Sequence, residues 1–128
     1  MTISVCMATY NGADYIEVQL KSILSQLGPA DQVVVVDDAS IDKTVEIIYK
    51  FVDPRIHLFI NDINVGPALT FDRALHHARG EFIFLSDQDD RWYDNKVSTV
   101  IDTFSKQNVD LVVHDATVIM GNLSLIHI

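Results

Sequence analysis

Cysteine is almost missing: Cys6 is the only one in the chain. An internal disulfide is therefore excluded, a thiolate metal site has no second sulfur, and the composition suits a reducing cytoplasm. Basic residues are scarce as well, with 9 Lys and Arg against 18 Asp and Glu and a net charge of −9. No basic face is available to displace counterions from phosphates, which excludes nucleic acid as a partner. No apolar run approaches the roughly 18 residues of a membrane span. The start, Met1-Thr2-Ile3-Ser4, passes directly into a strand-like run without the basic region and cleavage site of a secretory signal. The 5 glycines build neither G-x-G-x-x-G after the first apolar run nor G-x-x-x-x-G-K-[ST] anywhere, which argues against dinucleotide dehydrogenases and P-loop NTPases. No Ser, His and Asp assemble around a nucleophile elbow. Glutamate is the last scarcity: 3 residues, against 15 aspartates. Aspartate favours caps, turns and metal loops, whereas glutamate favours solvated helix faces.

What remains is a 128-residue chain, 48% hydrophobic, in which short apolar runs alternate with helix-period segments. Strands are expected at Ile3–Ala8, Gln32–Asp37, Arg55–Ile60, Phe82–Ser86 and Leu111–His114. The four consecutive valines at 33–36 read as a strand buried on both faces. Between them, Asp14 is the expected N-cap of a helix carrying Ile16, Leu20, Ile23, Leu24 and Leu27, with Glu17 completing a capping box and Gly28-Pro29 as the stop. Further helices are expected at Asp42–Val52, from Pro67 to about Ala78, and at Asp94–Phe104. This order predicts an α/β fold: one open, mainly parallel sheet with helices on both faces. The final hexapeptide, Leu123–Ile128, continues no element pattern and resembles a translated sequencing adapter. Residues 1–122 are accordingly expected to be the natural domain and 123–128 a non-native tail, a natural closing strand being the alternative.

In an open parallel sheet the ligand crevice lies at the carboxyl ends of the strands. Those ends carry Thr9-Tyr10-Asn11-Gly12, Asp37-Asp38-Ala39-Ser40, Asn61 and Asp87-Gln88-Asp89-Asp90. Asn11-Gly12 reads equally as a turn, and Asp38 or Ser40 as a cap. Three carboxylates within residues 87–90 repel one another, and a cation relieves that repulsion. All-oxygen ligation favours Mg²⁺ or Mn²⁺, which completes its shell with substrate phosphates and water. His76 and His77 read as a solvated helix face, His57 as part of an exposed strand face, and His114-Asp115 as an accessory polar pair.

At these positions the chain resembles the family 2 glycosyltransferases of GT-A fold. Val5-Cys6-Met7-Ala8-Thr9-Tyr10-Asn11 is similar to the family's first-strand signature, and Val36–Thr44 to its V-D-D-x-S-x-D-x-T motif. Asn64-Val65-Gly66 and Ala78-Arg79-Gly80-Glu81 fit the middle segment, and Phe84–Trp92 fits the D-x-D region. The S-D-Q-D-D-x-W form looks most like bacterial enzymes of cell-surface polysaccharide assembly, including rhamnosyltransferases.

The resemblance implies inverting, metal-dependent transfer of a sugar from a nucleotide diphosphate sugar to a hydroxyl of a glycan or lipid-linked acceptor. It implies that Thr9, Tyr10 and Asn11 line the nucleotide pocket and that Asp38 hydrogen-bonds the base. Asp87 would face the ribose or a metal-bound water, and Asp89 would ligate Mg²⁺ or Mn²⁺. Many members carry Arg-Asn where Phe71-Asp72 stands here, and the neighbouring Arg73 is the candidate substitute for that donor contact. The acceptor half with its acidic general base is expected to follow this stretch, so the fragment alone is expected not to turn over. A cytoplasmic enzyme is implied, with peripheral association at the inner membrane face open to the full-length protein.

Two rival classes were weighed. A phosphoacceptor receiver domain would carry its acidic pair after the first strand and a lysine after the fifth, and no lysine follows Lys106. A sugar nucleotidyltransferase would need a basic, glycine-rich loop after the first strand, which Gly12 alone does not supply.

Overall fold

The computed structural model describes residues 1–106, 117–120 and 124–127. Two compact units divide the chain, Met1–Asp94 and Asn95–Ile128.

The first unit is a four-stranded, wholly parallel sheet in the order β3-β2-β1-β4. Its strands are β1 (Ile3–Thr9), β2 (Gln32–Asp37), β3 (Ile56–Ile60) and β4 (Phe82–Asp87). Helices α1 (Ile16–Leu24), α2 (Thr44–Lys50) and α3 (Pro67–His77) connect them. Every residue of β2 is buried, as the valine run predicts for a strand covered on both sides. Register pairs Cys6 with Val34 and Val5 with Val33, and alternation sends these pairs to opposite faces. On one face Cys6, Val34 and Val36 pack with Ala74 of α3, with Phe59 and Ala78 beside them. On the other, Gln19 of α1 reaches β4, its Nε2 donating to Ser86 Oγ at 2.6 Å and to the Asp87 carbonyl at 2.9 Å. Burial pushes the Cys6 thiol up to about 11, so the sulfur is packing material rather than a nucleophile.

Several boundaries differ from the sequence reading, each for a tertiary reason. Helix α1 starts at Ile16 with Tyr15 as N-cap and no side-chain cap. The Tyr15 and Ile16 amides donate to the Gly12 carbonyl at 3.0 and 2.9 Å, which leaves Asp14 no capping work. The same helix stops at Leu24, short of Leu27, because Arg55 Nη1 donates to the carbonyls of both Leu24 and Leu27, at 3.1 and 2.9 Å. Helix α2 spans Thr44–Lys50 rather than 42–52, since Asp42 accepts the Thr44 amide at 2.9 Å as the turn before it.

The second unit contains α4 (Lys96–Lys106), two residues later than expected, and an antiparallel pair, β5 (Thr117–Met120) with β6 (Ser124–His127). Strand β6 thus occupies the hexapeptide that shows no element pattern in the sequence. The expected strand at Leu111–His114, and the pair His114-Asp115, lie outside the described residues. Among the described residues no helix is long and apolar enough to cross a membrane.

Candidate functional site

Strand order reverses at β1: the chain builds outward through β2 and β3, then returns to place β4 on the other side. Helix α1, after β1, and helix α3, before β4, lie on opposite faces of the sheet, and a crevice lies between them at the carboxyl ends of the strands. A cavity of about 470 Å³ opens there, walled by Thr9, Tyr10, Asp38, Asn64, Gly66, Pro67, Thr70, Phe71, Asp87, Gln88 and Asp89.

The wall after β1 is held by the D-D-x-S-x-D-x-T segment. Thr9 Oγ1 donates to Asp37 Oδ1 at 2.7 Å, and Asp37 also accepts the amide and hydroxyl of Ser40, at 2.8 and 2.7 Å. Ser40 Oγ accepts the Asn11 amide at 2.8 Å, and Asn11 Oδ1 accepts the Ile41 amide at 2.9 Å. Thr44 Oγ1 accepts the Gly12 amide at 2.8 Å, and Asp42 accepts that of Ala13 at 3.1 Å. Asn11 takes a φ of 49° and Ala39 a φ of 61°. Asparagine tolerates this left-handed backbone; alanine holds it at a cost that the surrounding hydrogen bonds offset. Asp37, Ser40, Asp42 and Thr44 thus build the loop, and none of them is among the residues lining the cavity.

Asp38 is 4% exposed, and its carboxylate organises the loop before α3. Oδ1 accepts the Asn61 side-chain amide at 3.0 Å and the Val65 amide at 2.8 Å, while Oδ2 accepts the Gly66 amide at 2.9 Å. Burial raises its pKa, but hydrogen bonds from Asn61, Val65, Gly66 and Thr70 outweigh that effect and hold the carboxyl below its ordinary value.

Asp87 and Asp89 are exposed and stand at the cavity. Among the described residues no group of three or more His, Cys, Asp or Glu gathers into a metal cage. Two accessible carboxylates suit a hard cation that takes one or two protein oxygens and draws the rest from a diphosphate and water.

Thr9, Tyr10, Asp38, Asp87 and Asp89, read from the sequence, are brought together on one cavity. Asn11 and Arg73 are not among its lining residues. Arg73 instead donates through Nη1 to Asn61 Oδ1 at 2.7 Å and lies 5.6 Å from the centroid of the Phe59 ring. Asn64, Thr70 and Phe71 line the cavity without having been assigned a site role from the sequence, whereas Gln88, like Asn61 at the carboxyl end of β3, was placed at the crevice without a role. Of the histidines, His76 is exposed with Nδ1 2.7 Å from the Asp72 carbonyl, while His77 stacks on Phe59 at 3.9 Å. Neither approaches the cavity wall.

Residues 4–127 match the family model described as Glycosyl transferase family 2. The chain is 33% identical over 124 residues to a putative teichuronic acid biosynthesis glycosyltransferase, TuaG, of Bacillus subtilis, covering 90% of this chain and 49% of that protein. It superposes on S. aureus TarS 1–349 in complex with UDP-GlcNAc with a TM-score of 0.78 and 30% identity, over 84% of this chain and 32% of that one. A mannosyltransferase from Pyrobaculum calidifontis, in complex with GDP-Man and Mn²⁺, aligns with a TM-score of 0.72 at 30% identity, over 77% of this chain and 31% of that one. The chain spans about half the length, 49%, of the B. subtilis relative.

Proposed function

The chain belongs to glycosyl transferase family 2 and has the GT-A type of sheet, and from that premise we propose that it is the donor-binding part of an enzyme transferring a sugar from a nucleotide diphosphate sugar to an acceptor hydroxyl. The observation that carries this reading is that Tyr10, Asp38, Asp87 and Asp89 all line one cavity. Bacterial cell-surface polysaccharide is the product class, in keeping with the B. subtilis relative's name as a teichuronic acid biosynthesis glycosyltransferase. A glycan or lipid-linked acceptor fits that class, as does peripheral association of the full-length enzyme with a membrane. The motif Ser86–Trp92 keeps a rhamnosyl donor among the candidates.

On this reading Thr9 and Tyr10 border the nucleoside, and Asp38, which lines the same cavity, accepts an N–H from the base edge. Asp89, with Asp87, holds Mg²⁺ or Mn²⁺; when bound, the ion offsets the charge that develops on the diphosphate leaving group. It also reconciles an anionic substrate with a chain of net charge −9. Inverting transfer needs a carboxylate base on the acceptor hydroxyl, and no residue of this chain is assigned to that step. Residues 1–122 are the proposed extent of the domain within the chain.

The test is calorimetric titration of the 128-residue chain with UDP, GDP and ADP, each with Mn²⁺ and with EDTA. Binding of one diphosphate, tightened by Mn²⁺, is the expected result. Failure of all three, and of dTDP, to bind in the presence of Mn²⁺ would refute the reading.

A further inference from the structure

Gln88 separates the two acids of the D-x-D segment, and its side-chain amide faces the backbone of Tyr10 rather than a carboxylate. The Tyr10 amide donates to Gln88 Oε1 at 2.8 Å, and Gln88 Nε2 donates to the Tyr10 carbonyl at 2.8 Å. The last register pair of β1 with β4 is Ala8 with Asp87, and β4 turns away at Gln88. The side-chain amide thus supplies a pair of bonds where the backbone ladder has ended, in place of a peptide group.

Gly12 provides a second, independent sign. A Cβ there would lie 2.2 Å from Gln88 Oε1, 2.5 Å from Cδ and 3.1 Å from Cγ. Gly66 is the only described glycine with positive φ, so Gly12 is not demanded by backbone conformation. A side chain at position 12 would meet the amide of Gln88, which would have to leave Tyr10 to admit it.

Tyr10, Asp87 and Asp89 all line the cavity; on the reading above the Tyr10 wall borders the nucleoside and the wall of the two acids holds the cation. We infer that Gln88 is a positioning residue that locks these two walls together, so that nucleotide and divalent cation each favour binding of the other. The inference rests on the functional reading above. Its physical content is linkage: a clamp that fixes both walls is shared by both ligands, and the coupling is reciprocal. The role assigned to Gln88 runs through its bonds to Tyr10 and not through either ligand.

Two measurements test it. Gln88→Met keeps the side-chain length and removes both hydrogen bonds. In calorimetric titrations with UDP, the factor by which Mn²⁺ tightens binding is expected to fall roughly fivefold or more in this variant. An unchanged factor in a variant with the wild-type circular dichroism spectrum overturns the coupling. The second is a stability cycle needing no nucleotide, built from Gly12→Ala, Gln88→Ala and the double variant. Gly12→Ala is expected to lower the melting temperature by roughly 4 °C or more in the wild-type background, and by less than half as much beside Gln88→Ala. Additive effects overturn the clamp. A wild-type chain that binds no UDP with Mn²⁺ brings down the functional reading, and the coupling with it, while the cycle still reports on the clamp alone.

Discussion

Replacing Asp38 by Asn preserves shape but removes the charge on which the loop before α3 depends. The carboxylate accepts three N–H groups within 3.0 Å while 4% exposed. In Asp38→Asn one of the two oxygens becomes an NH₂ group facing a backbone amide or the Asn61 side chain. At least one buried donor then loses its acceptor, at about 1–3 kcal/mol, and the remaining bonds drop from charge-assisted to neutral strength. A total destabilisation of about 3 kcal/mol is expected at pH 7, read as a lower urea midpoint at unchanged m-value. The pH dependence follows from the lowered carboxyl pKa of the folded state. Its stabilisation is fully present above the ordinary aspartate value of 3.8 and is lost as pH falls through the lower, folded value. The gap between wild type and Asp38→Asn should therefore be constant from pH 7 to about pH 5 and narrow only in stronger acid. Equal stability of the two proteins at pH 7 would refute the anchoring role and leave base recognition as the sole function of Asp38.

Asp89→Asn should abolish the Mn²⁺-dependent part of UDP binding, and EDTA should do the same to the wild type; metal-dependent affinity surviving in the variant would move the ligand role elsewhere. Gly80→Ala places a Cβ 2.6 Å from the Ser4 amide nitrogen and 2.7 Å from the Ile3 carbonyl carbon. Both are backbone atoms of β1, so a loss of about 3 kcal/mol is expected in urea unfolding, and a loss under about 1 kcal/mol would contradict the close approach. Arg55→Lys keeps the charge but cannot both pair with Asp53 through two nitrogens and cover the Leu24 and Leu27 carbonyls. It should cost about 2 kcal/mol and speed hydrogen exchange at the end of α1, whereas wild-type exchange there would show the cap to be dispensable.

The alternation of strand and helix was legible in local pattern, because burial of a parallel strand on both faces writes itself as an unbroken apolar run, as at Val33–Val36. Pro67 likewise marked the start of α3, its fixed φ and missing N–H suiting the first helical turn. The polar strand ends at Thr9, Asp38 and Asp87 could be placed together because parallel strands put their carboxyl ends on one side of the sheet. Partners distant in the chain were another matter. Arg55 ends a helix that lies 31 residues before it, and the amides that Asp14 would have capped go to Gly12, whose own amide is held by Thr44. Arg73 carried the right charge for a donor contact, yet it serves Asn61. Gln88 is an unremarkable polar residue in the sequence; only the ending of β4 beside Tyr10 gives its amide two backbone groups to pair with. Periodicity records which face of an element is buried, so the sequence by itself determined β1 to β4, the helices α1 to α4 and the end of the sheet that carries the chemistry, while β5 and β6 left no such record. A side chain's hydrogen-bond partner depends on which strands become neighbours, and that was decided by the tertiary structure alone.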